Sequence, residues 1–418
     1  MIGLKYGSVE LYETDDRWQH IAAETVLLLK NLLGTFAVDI QHVGATSVNG
    51  LLARPVIDIA VGVRFLEDVH KFVPELESAG FRRRRQAENN WRIVFEHTDG
   101  DDLAVTHNVF FVEYMGERWL GFLNFKKYMQ ADQAHRDEYN ELKRKNAEKF
   151  SNDAEGYCIA KAEYTRNIVK MTSTRRYLGT TVTVDVTRSI GSRHPTSKNI
   201  VYPINYGMIR GEKGVDGNEL RAYILGVKSP VSTFTGTVIG IIHRGGDCGD
   251  RLVVAPAGVY VNQARIEEAV HFREKFYAVT VDALYQKSAG MVVYRKTPDG
   301  IEYLLLFQKR SRTWSFPKGH MEMCETEIQT AKREVFEEIG QRLRPHKNFR
   351  HTVTYKLAAP CRKTVVLFLA EAKDSNVVFE SVMSEYRWLK CEEASRFFWN
   401  SQYKRILSDA ERFIKRLG

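Results

Sequence analysis

Five cysteines in 418 residues, widely scattered and without a C-x-x-C pair, exclude a disulfide framework and a zinc ribbon. There is no apolar run of about 18 residues or more, and no stretch joins a basic, an apolar and a small-residue segment, so neither a membrane span nor a signal peptide is expected. Low-complexity tracts and internal repeats are missing too. These absences leave a soluble, cytoplasmic protein with no membrane partner as the expectation. A strong charge imbalance is also lacking. The net charge of +9 is modestly basic, which suits small phosphorylated molecules better than a dedicated nucleic-acid surface. What is present is ordinary globular composition, 44% hydrophobic and 27% charged, on a chain of 418 residues. That is too long for one ordinary core and predicts two to four domains. Nothing in the sequence specifies an oligomeric state.

The texture changes in blocks. From about residue 1 to 172 helical and strand patterns alternate, ending in charged helical stretches from Ala131 to Phe150 and from about Lys161 to Met171. From Leu178 the pattern turns to β: Thr181 to Val186 alternates, and turn signals recur at Gly191-Ser192, Tyr206-Gly207 and Asp216-Gly217. Domains of 1–172, 173–285 and 286–418 follow, in a multidomain α+β fold class.

The most informative run is Gly319 to Gly340, which spells G-x5-E-x7-R-E-x-x-E-E-x-G through Gly319, Glu325, Arg333, Glu334, Glu337, Glu338 and Gly340. Seven fixed positions at ordinary residue frequencies coincide by chance about once in 10⁸ starts. Glu334, Glu337 and Glu338 are three and four residues apart and share one face of a helix. Three carboxylates so close repel one another unless a cation sits among them, and all-oxygen ligation suits Mg²⁺ or Mn²⁺. Upstream, Trp314 to His320 reads as a strand and a turn, which brings Lys318 and His320 to phosphate oxygens. A hard cation beside a polyphosphate is the recipe for splitting a phosphoanhydride.

This run resembles the Nudix box, and residues 286–418 look like a complete Nudix hydrolase, an α/β/α sandwich. The resemblance implies Glu334, Glu337 and Glu338 as metal ligands with one as base, Arg333 held by Glu325, and the Gly319 carbonyl as a further metal ligand. The W-S-F-P-K-G-H lead-in and the later Tyr386-Arg387-Trp388-Leu389 resemble asymmetrical diadenosine tetraphosphate hydrolases. Cys324 stands where those enzymes usually have Gly, and Gln341 where the box usually has an aliphatic residue. Tyr355 and Phe316 are candidates for stacking on a base.

Near the N-terminus the strand Ala37-Val38-Asp39-Ile40 runs into a turn from His42 to Gly50, and a second strand follows from Val56 to Val61. A turn of glycine and hydroxyl residues can cradle phosphate, with Gly44, Thr46 and Ser47 as contacts and Asp58 as a metal ligand. The run H-V-G-x-T-S-V-x-G-L-x-A-R-P-x-I-D-I resembles the GrpB family, which implies a nucleotidyltransferase-like α/β fold over about 1–172. Enzymes of that fold typically place a second carboxylate where Ala60 stands. Nucleotide binding, nucleotidyl transfer and a structural or partner-binding role are the open readings. The run Arg82 to Arg85 is either a grip for phosphate or RNA, or a solvated hairpin.

In the middle block, Tyr202 to Gly207, Asp216 to Tyr223 and Asp247 to Val254 resemble segments of soluble inorganic pyrophosphatases, implying an abbreviated β-barrel over about 178–285. Those enzymes use a D-G-D-x-L-D cluster. Here Asn218 and Arg221 replace two of its carboxylates, and Arg251 stands for a lysine. Full pyrophosphatase activity, a retained phosphate-binding barrel with Tyr206, Arg221 and Arg251 facing the anion, and a spacer are the alternatives. For the whole chain three functions compete. One is a metal-dependent pyrophosphohydrolase of a small nucleotide, such as a dinucleoside polyphosphate or a nucleoside triphosphate. The others are a nucleotide-sensing regulator and, less favoured, a hydrolase of 5′-polyphosphorylated RNA.

Overall fold

The computed structural model describes residues 2–99, 104–197, 199–215, 217–245, 249–308, 312–372, 377 and 383–417. Asp216, Asp247 and Cys248, singled out in the sequence, lie outside the described residues. The chain forms two compact units, one made of Met1–Arg176 with Gly211–Leu220 and His243–Asp250, the other of Tyr177–Arg210, Arg221–Ile242 and Arg251–Gly418. Among the described residues no helix is long and apolar enough to cross a membrane.

In the N-terminal region the strands run in the order Ala37–Val43, Ile57–Val63, Ala104–Glu113, Ile93–Asp99, Phe81–Arg83. Ile57–Val63 pairs parallel with Ala104–Glu113, and its other neighbour is antiparallel. Ile57, Ile59, Val61 and Val63 alternate onto one face and bury against Ala22, Leu29 and Leu33 of the helix Asp16–Leu33. Asp15 caps that helix by accepting from the Arg17 N–H. The other face carries the helices Glu117–Ala131, Gln133–Lys149 and Ala154–Thr172. The last two coincide with the charged stretches read from sequence.

The middle region is a five-strand barrel. Among the described residues the order is Arg251–Ala255, Glu219–Ile224, Asn205–Lys213, Thr181–Arg188, Thr233–Arg244, and the ring closes because Thr233–Arg244 pairs back onto Arg251–Ala255. Closure removes the free edges that an open sheet of this length would expose. The helix Gln263–Glu274 follows, capped by Asn262.

The C-terminal region is a seven-stranded mixed sheet, among the described residues, between two helices. Along Tyr285–Thr297 the side chains alternate. Ala289, Met291 and Val293 bury against Ala331, Val335 and Ile339 of the helix Glu327–Ile339. Val292 and Tyr294 bury on the opposite face, in the cluster that contains Ile406, Leu407, Ala410 and Ile414 of the helix Ser401–Leu417. A strand read by two helices in this way gives the expected α/β/α sandwich.

Candidate active site

The helix Glu327–Ile339 is defined at both ends by local chemistry. Thr326 and Gln329 form a reciprocal capping box at its start, and Gly340 ends it in the left-handed conformation at φ 72°. Lys287 and Arg350 both pair with Glu327 in the first turn, at 2.6 and 2.8 Å, which ties the helix to two strands. Its apolar stripe faces the sheet, and the acidic face is left towards the strand Lys318–His320.

Arg333 is the hub of that face. Its guanidinium grips Glu325 through two bonds of 2.7 and 2.9 Å, donates to Glu334 at 2.8 Å and Glu337 at 3.0 Å, and reaches the His320 carbonyl at 2.9 Å. Glu325 also accepts from the Glu322 N–H and the Thr330 hydroxyl. This set of donors, led by Arg333, holds the Glu325 carboxyl down at about 2. Glu338 points the other way and accepts from the Lys318 N–H at 2.9 Å. Burial pushes its carboxyl up to about 8, although the Lys318 ammonium pulls it down. Burial also raises Glu334, against the pull of Arg333.

Gly319 belongs where it is because nothing larger fits. A Cβ there would fall on the Glu334 carboxylate, so the helix and the strand approach as closely as backbone and carboxylate can. Among the described residues no three acidic, histidine or cysteine side chains already converge as a finished cage. The donor set nevertheless fits a hard divalent cation: Glu334, Glu337 and Glu338 offer oxygens on one helix face, and the Gly319 backbone lies against Glu334. Glu337, with a side chain 46% exposed, is the outermost of the three.

A NUDIX domain matches residues 284–410, and a GrpB protein domain matches residues 8–171. The asymmetrical bis(5′-nucleosyl)-tetraphosphatase of Mus musculus is 32% identical over 140 residues, 31% of this chain and 95% of that protein. The glutamate-rich protein GrpB of Alkalihalophilus pseudofirmus is 34% identical over 171 residues, 40% of this chain and 98% of that protein. The chain belongs to the Nudix and GrpB families. A crystal structure of a C. elegans Ap4A hydrolase binary complex aligns with 29% identity, covering 31% of this chain and 98% of that one, with a TM-score of 0.30. The C-terminal region is a Nudix hydrolase, an enzyme of phosphoanhydride bonds.

Around the Nudix helix the structure brings together more than the box. Lys363, on the strand Arg362–Glu371, places its ammonium 3.3 Å from the His320 ring, and burial pushes that ammonium down to about 8. Its Cα partner across the sheet is Tyr355. Tyr355 is half-buried and meets Trp399 edge to face at 6.4 Å. Trp399 is 79% exposed, which gives it the free ring face that a stacking residue needs. Sequence reading missed Lys363 and Trp399, because neither lies in a motif. Phe316, the other stacking candidate, is corrected: it is fully buried against Phe398 and Tyr403 and belongs to the core.

Cys324 adopts φ 63°, the left-handed region in which glycine is at ease, so the usual glycine of related boxes has a conformational cause here. Its thiol lies 3.9 Å from Glu268, and Met321 meets Asn262 at 4.0 Å. The barrel's helix therefore touches the loop that carries Glu322 and Glu325.

In the GrpB region the residues read from sequence fall on the turn after Ala37–Val43. Thr46 and Ser47 are buried and their hydroxyls are engaged, Thr46 with the His42 ring at 2.9 Å and Ser47 with the Gly44 carbonyl at 2.8 Å. Gly44, at φ 72°, packs its Cα against the Asp58 carboxylate, where a Cβ would lie 2.5 Å from Oδ2. Asn108 donates to Asp58 at 3.0 Å. Burial pushes the Asp58 carboxyl up, against the pull of Asn108, Arg54 and Lys161. Of the Arg82–Arg85 run, Arg82 pairs with Glu96 at 2.9 Å and Arg83 with Glu88 at 2.7 Å, as a folded hairpin uses such charges. In the barrel, Tyr206 is buried against Tyr223 at 4.8 Å, and Arg251 stands opposite Arg221 on the neighbouring parallel strand.

Proposed function

We propose that the protein is a Mg²⁺- or Mn²⁺-dependent pyrophosphohydrolase whose best substrate is a dinucleoside polyphosphate such as diadenosine tetraphosphate, with a nucleoside triphosphate next. The Arg333 hub carries this reading. It orders Glu334 and Glu337 on one helix face and Glu325 in the loop before the helix, while leaving Glu338 to the Lys318 N–H. A bound divalent cation supplies charge stabilisation on the phosphoryl oxygens and acidifies water. Glu338, fixed at one oxygen and raised by burial, is the group to take the proton from the attacking water. Lys318 and Lys363 supply the positive charge that receives the phosphate chain, His320 joins them as a neutral imidazole that burial holds down at about 4, and Tyr355 with Trp399 supplies the aromatic surface for a base. The similarity to asymmetrical tetraphosphatases supports the choice of substrate.

The test is a panel of nucleotides, dinucleoside polyphosphates, pyrophosphate and triphosphorylated RNA, with products resolved by mass. Diadenosine tetraphosphate should give ATP and AMP in equal amounts; ADP alone would reject asymmetrical cleavage. We also infer that the middle segment, 173–285, is a pyrophosphatase-type barrel that retains anion binding without turnover. Arg221 replaces a carboxylate there and would repel the metals such chemistry needs. With Glu338→Gln in place, the full chain should release negligible phosphate from pyrophosphate. A second reading, nucleotide sensing through segments 1–172 and 173–285 together, is favoured by the cations beside Asp58.

A further inference from the structure

In the GrpB region Arg54 and Lys161, far apart in sequence, come to the same buried aromatic ring. The Arg54 guanidinium lies 5.7 Å from the Tyr157 centroid and the Lys161 ammonium 4.8 Å, while Tyr157 itself is 1% exposed. Among the described residues neither cation makes a hydrogen bond or an ion pair. The single carboxylate in the group, Asp58, spends one oxygen on Asn108 and lies against the Gly44 turn with the other. Lys143 also faces the Lys161 charge; it is buried, donates to the Leu52 carbonyl and sits 4.4 Å over the Tyr139 ring, and burial pushes its ammonium down to about 6, so it adds little charge at neutral pH.

Two cations without hydrogen-bond partners among the described residues thus share one acid, and one oxygen of that acid is already spent on Asn108. Fold stability does not explain this, since like charges brought close and out of water oppose folding. An anion held by both side chains offsets their repulsion. A metal ion does not, because its only carboxylate is flanked by cations. The hydroxyls of Thr46 and Ser47 are turned to internal partners, so recognition falls to the charged side chains.

We propose that Arg54 and Lys161 form a binding site for a polyphosphate anion, either free pyrophosphate or the phosphate chain of a nucleotide, in the N-terminal region and independent of the Nudix hydrolase site. Arg54 presents a planar fork to two phosphate oxygens and Lys161 a point charge to a third. Cation–π contact with the Tyr157 ring helps hold both side chains at the site.

The experiment uses the full chain carrying Glu338→Gln, so that nucleotides persist, and measures binding of inorganic pyrophosphate and of ATP by calorimetry. Arg54→Gln or Lys161→Gln should each weaken one class of site at least tenfold, and Lys161→Arg should retain it. Equal affinity for the two probes identifies the free polyphosphate as the ligand; preference for ATP identifies the nucleotide. Should the glutamine variants unfold, amine acylation of the unsubstituted chain read by mass spectrometry replaces them. Pyrophosphate or ATP should then protect Lys161 but not Lys170. Absence of binding by both probes, unchanged binding in the Arg54→Gln, Lys161→Gln double variant, or unchanged labelling of Lys161 would overturn the proposal. Hydrolysis by the chain with Glu338 intact should be unaffected by Arg54→Gln, which separates this outcome from failure of the hydrolase assignment.

Discussion

The Nudix helix and the Asp58 region are electrostatic inverses. In the first, Glu325, Glu334 and Glu337 crowd around one arginine, and Glu338 beside them turns to the Lys318 N–H. In the second, Arg54 and Lys161 stand beside one aspartate. Each leaves a charge surplus that internal partners only partly balance, and the ligands proposed for them are opposite in sign: a divalent cation for the acids, a polyanion for the bases. The difference is also one of construction. The acids come from one helix and its lead-in loop and are spaced by helical periodicity, whereas the bases come from segments a hundred residues apart. Local spacing makes the first recognisable from sequence; the second exists only once the chain is folded.

The sharpest way to break the comparison is to remove one acid. Glu338→Gln or Glu337→Gln should lower the hydrolytic rate by at least about 10²-fold, roughly 2.7 kcal/mol of transition-state stabilisation, since an amide is a weak ligand for a hard cation and a poor base. Near-normal turnover by both variants would place the activity elsewhere. Glu325→Gln should cost less, because Glu325 acts by holding Arg333. In the inverse site, Asp58→Asn removes the only opposing charge and should tighten anion binding several-fold; weaker binding would show that the two regions are not inverses.

A second test concerns protons. In the metal-free protein Glu338 is raised to about 8, so at neutral pH it must lose a proton before it can ligate. Metal affinity should therefore climb with pH, by at most about tenfold per unit below 8, and level off above it. Calorimetry in two buffers of different ionisation enthalpy should find more protons released per ion at pH 7 than at pH 9, since burial raises both Glu334 and Glu338. Equal release at both would sink the assignment of the Glu338 carboxyl.

The GrpB region should respond to acid through its histidines. Burial above all holds both His42 and His107 down at about 4, against an ordinary 6.5. The unfolded chain then binds more protons between those values, so their contribution is complete above pH 6.5 and is lost as pH falls towards 4, by roughly 1–3 kcal/mol for each. Denaturant midpoints at pH 7.5 and 5 should differ accordingly, and His107→Gln should reduce the difference. A midpoint that is flat over this range would contradict it. The smallest expected effect is at the box loop. Cys324→Gly relieves a left-handed residue at φ 63° but adds freedom to the unfolded chain, so stability should shift by less than about 1 kcal/mol with turnover retained. A larger loss would mean that the thiol contact with Glu268 orders the loop.

What the sequence determined by itself was whatever depends on near neighbours along the chain. The spacing from Gly319 to Gly340 already implied a helix with its carboxylates on one face and an arginine to hold Glu325, and the structure has both, because relations three, four and eight residues apart are carried by helix geometry and one short loop. The strands at Ala37–Val43, Ile57–Val63 and Thr181–Arg188 were legible for the same reason. Folding alone decided the rest. Burial sent Phe316 into the core and left Trp399 exposed, though both are aromatic residues near the same site. Strand pairing brought Lys363 to His320 and Tyr355, and closure made a barrel of five strands whose periodicity would equally suit an open sheet. Packing of the helix Ala154–Thr172 carried Lys161 to Arg54 over Tyr157. The physical reason is common to all of these: desolvation and long-range charge depend on which distant segments become neighbours, and no local pattern encodes that.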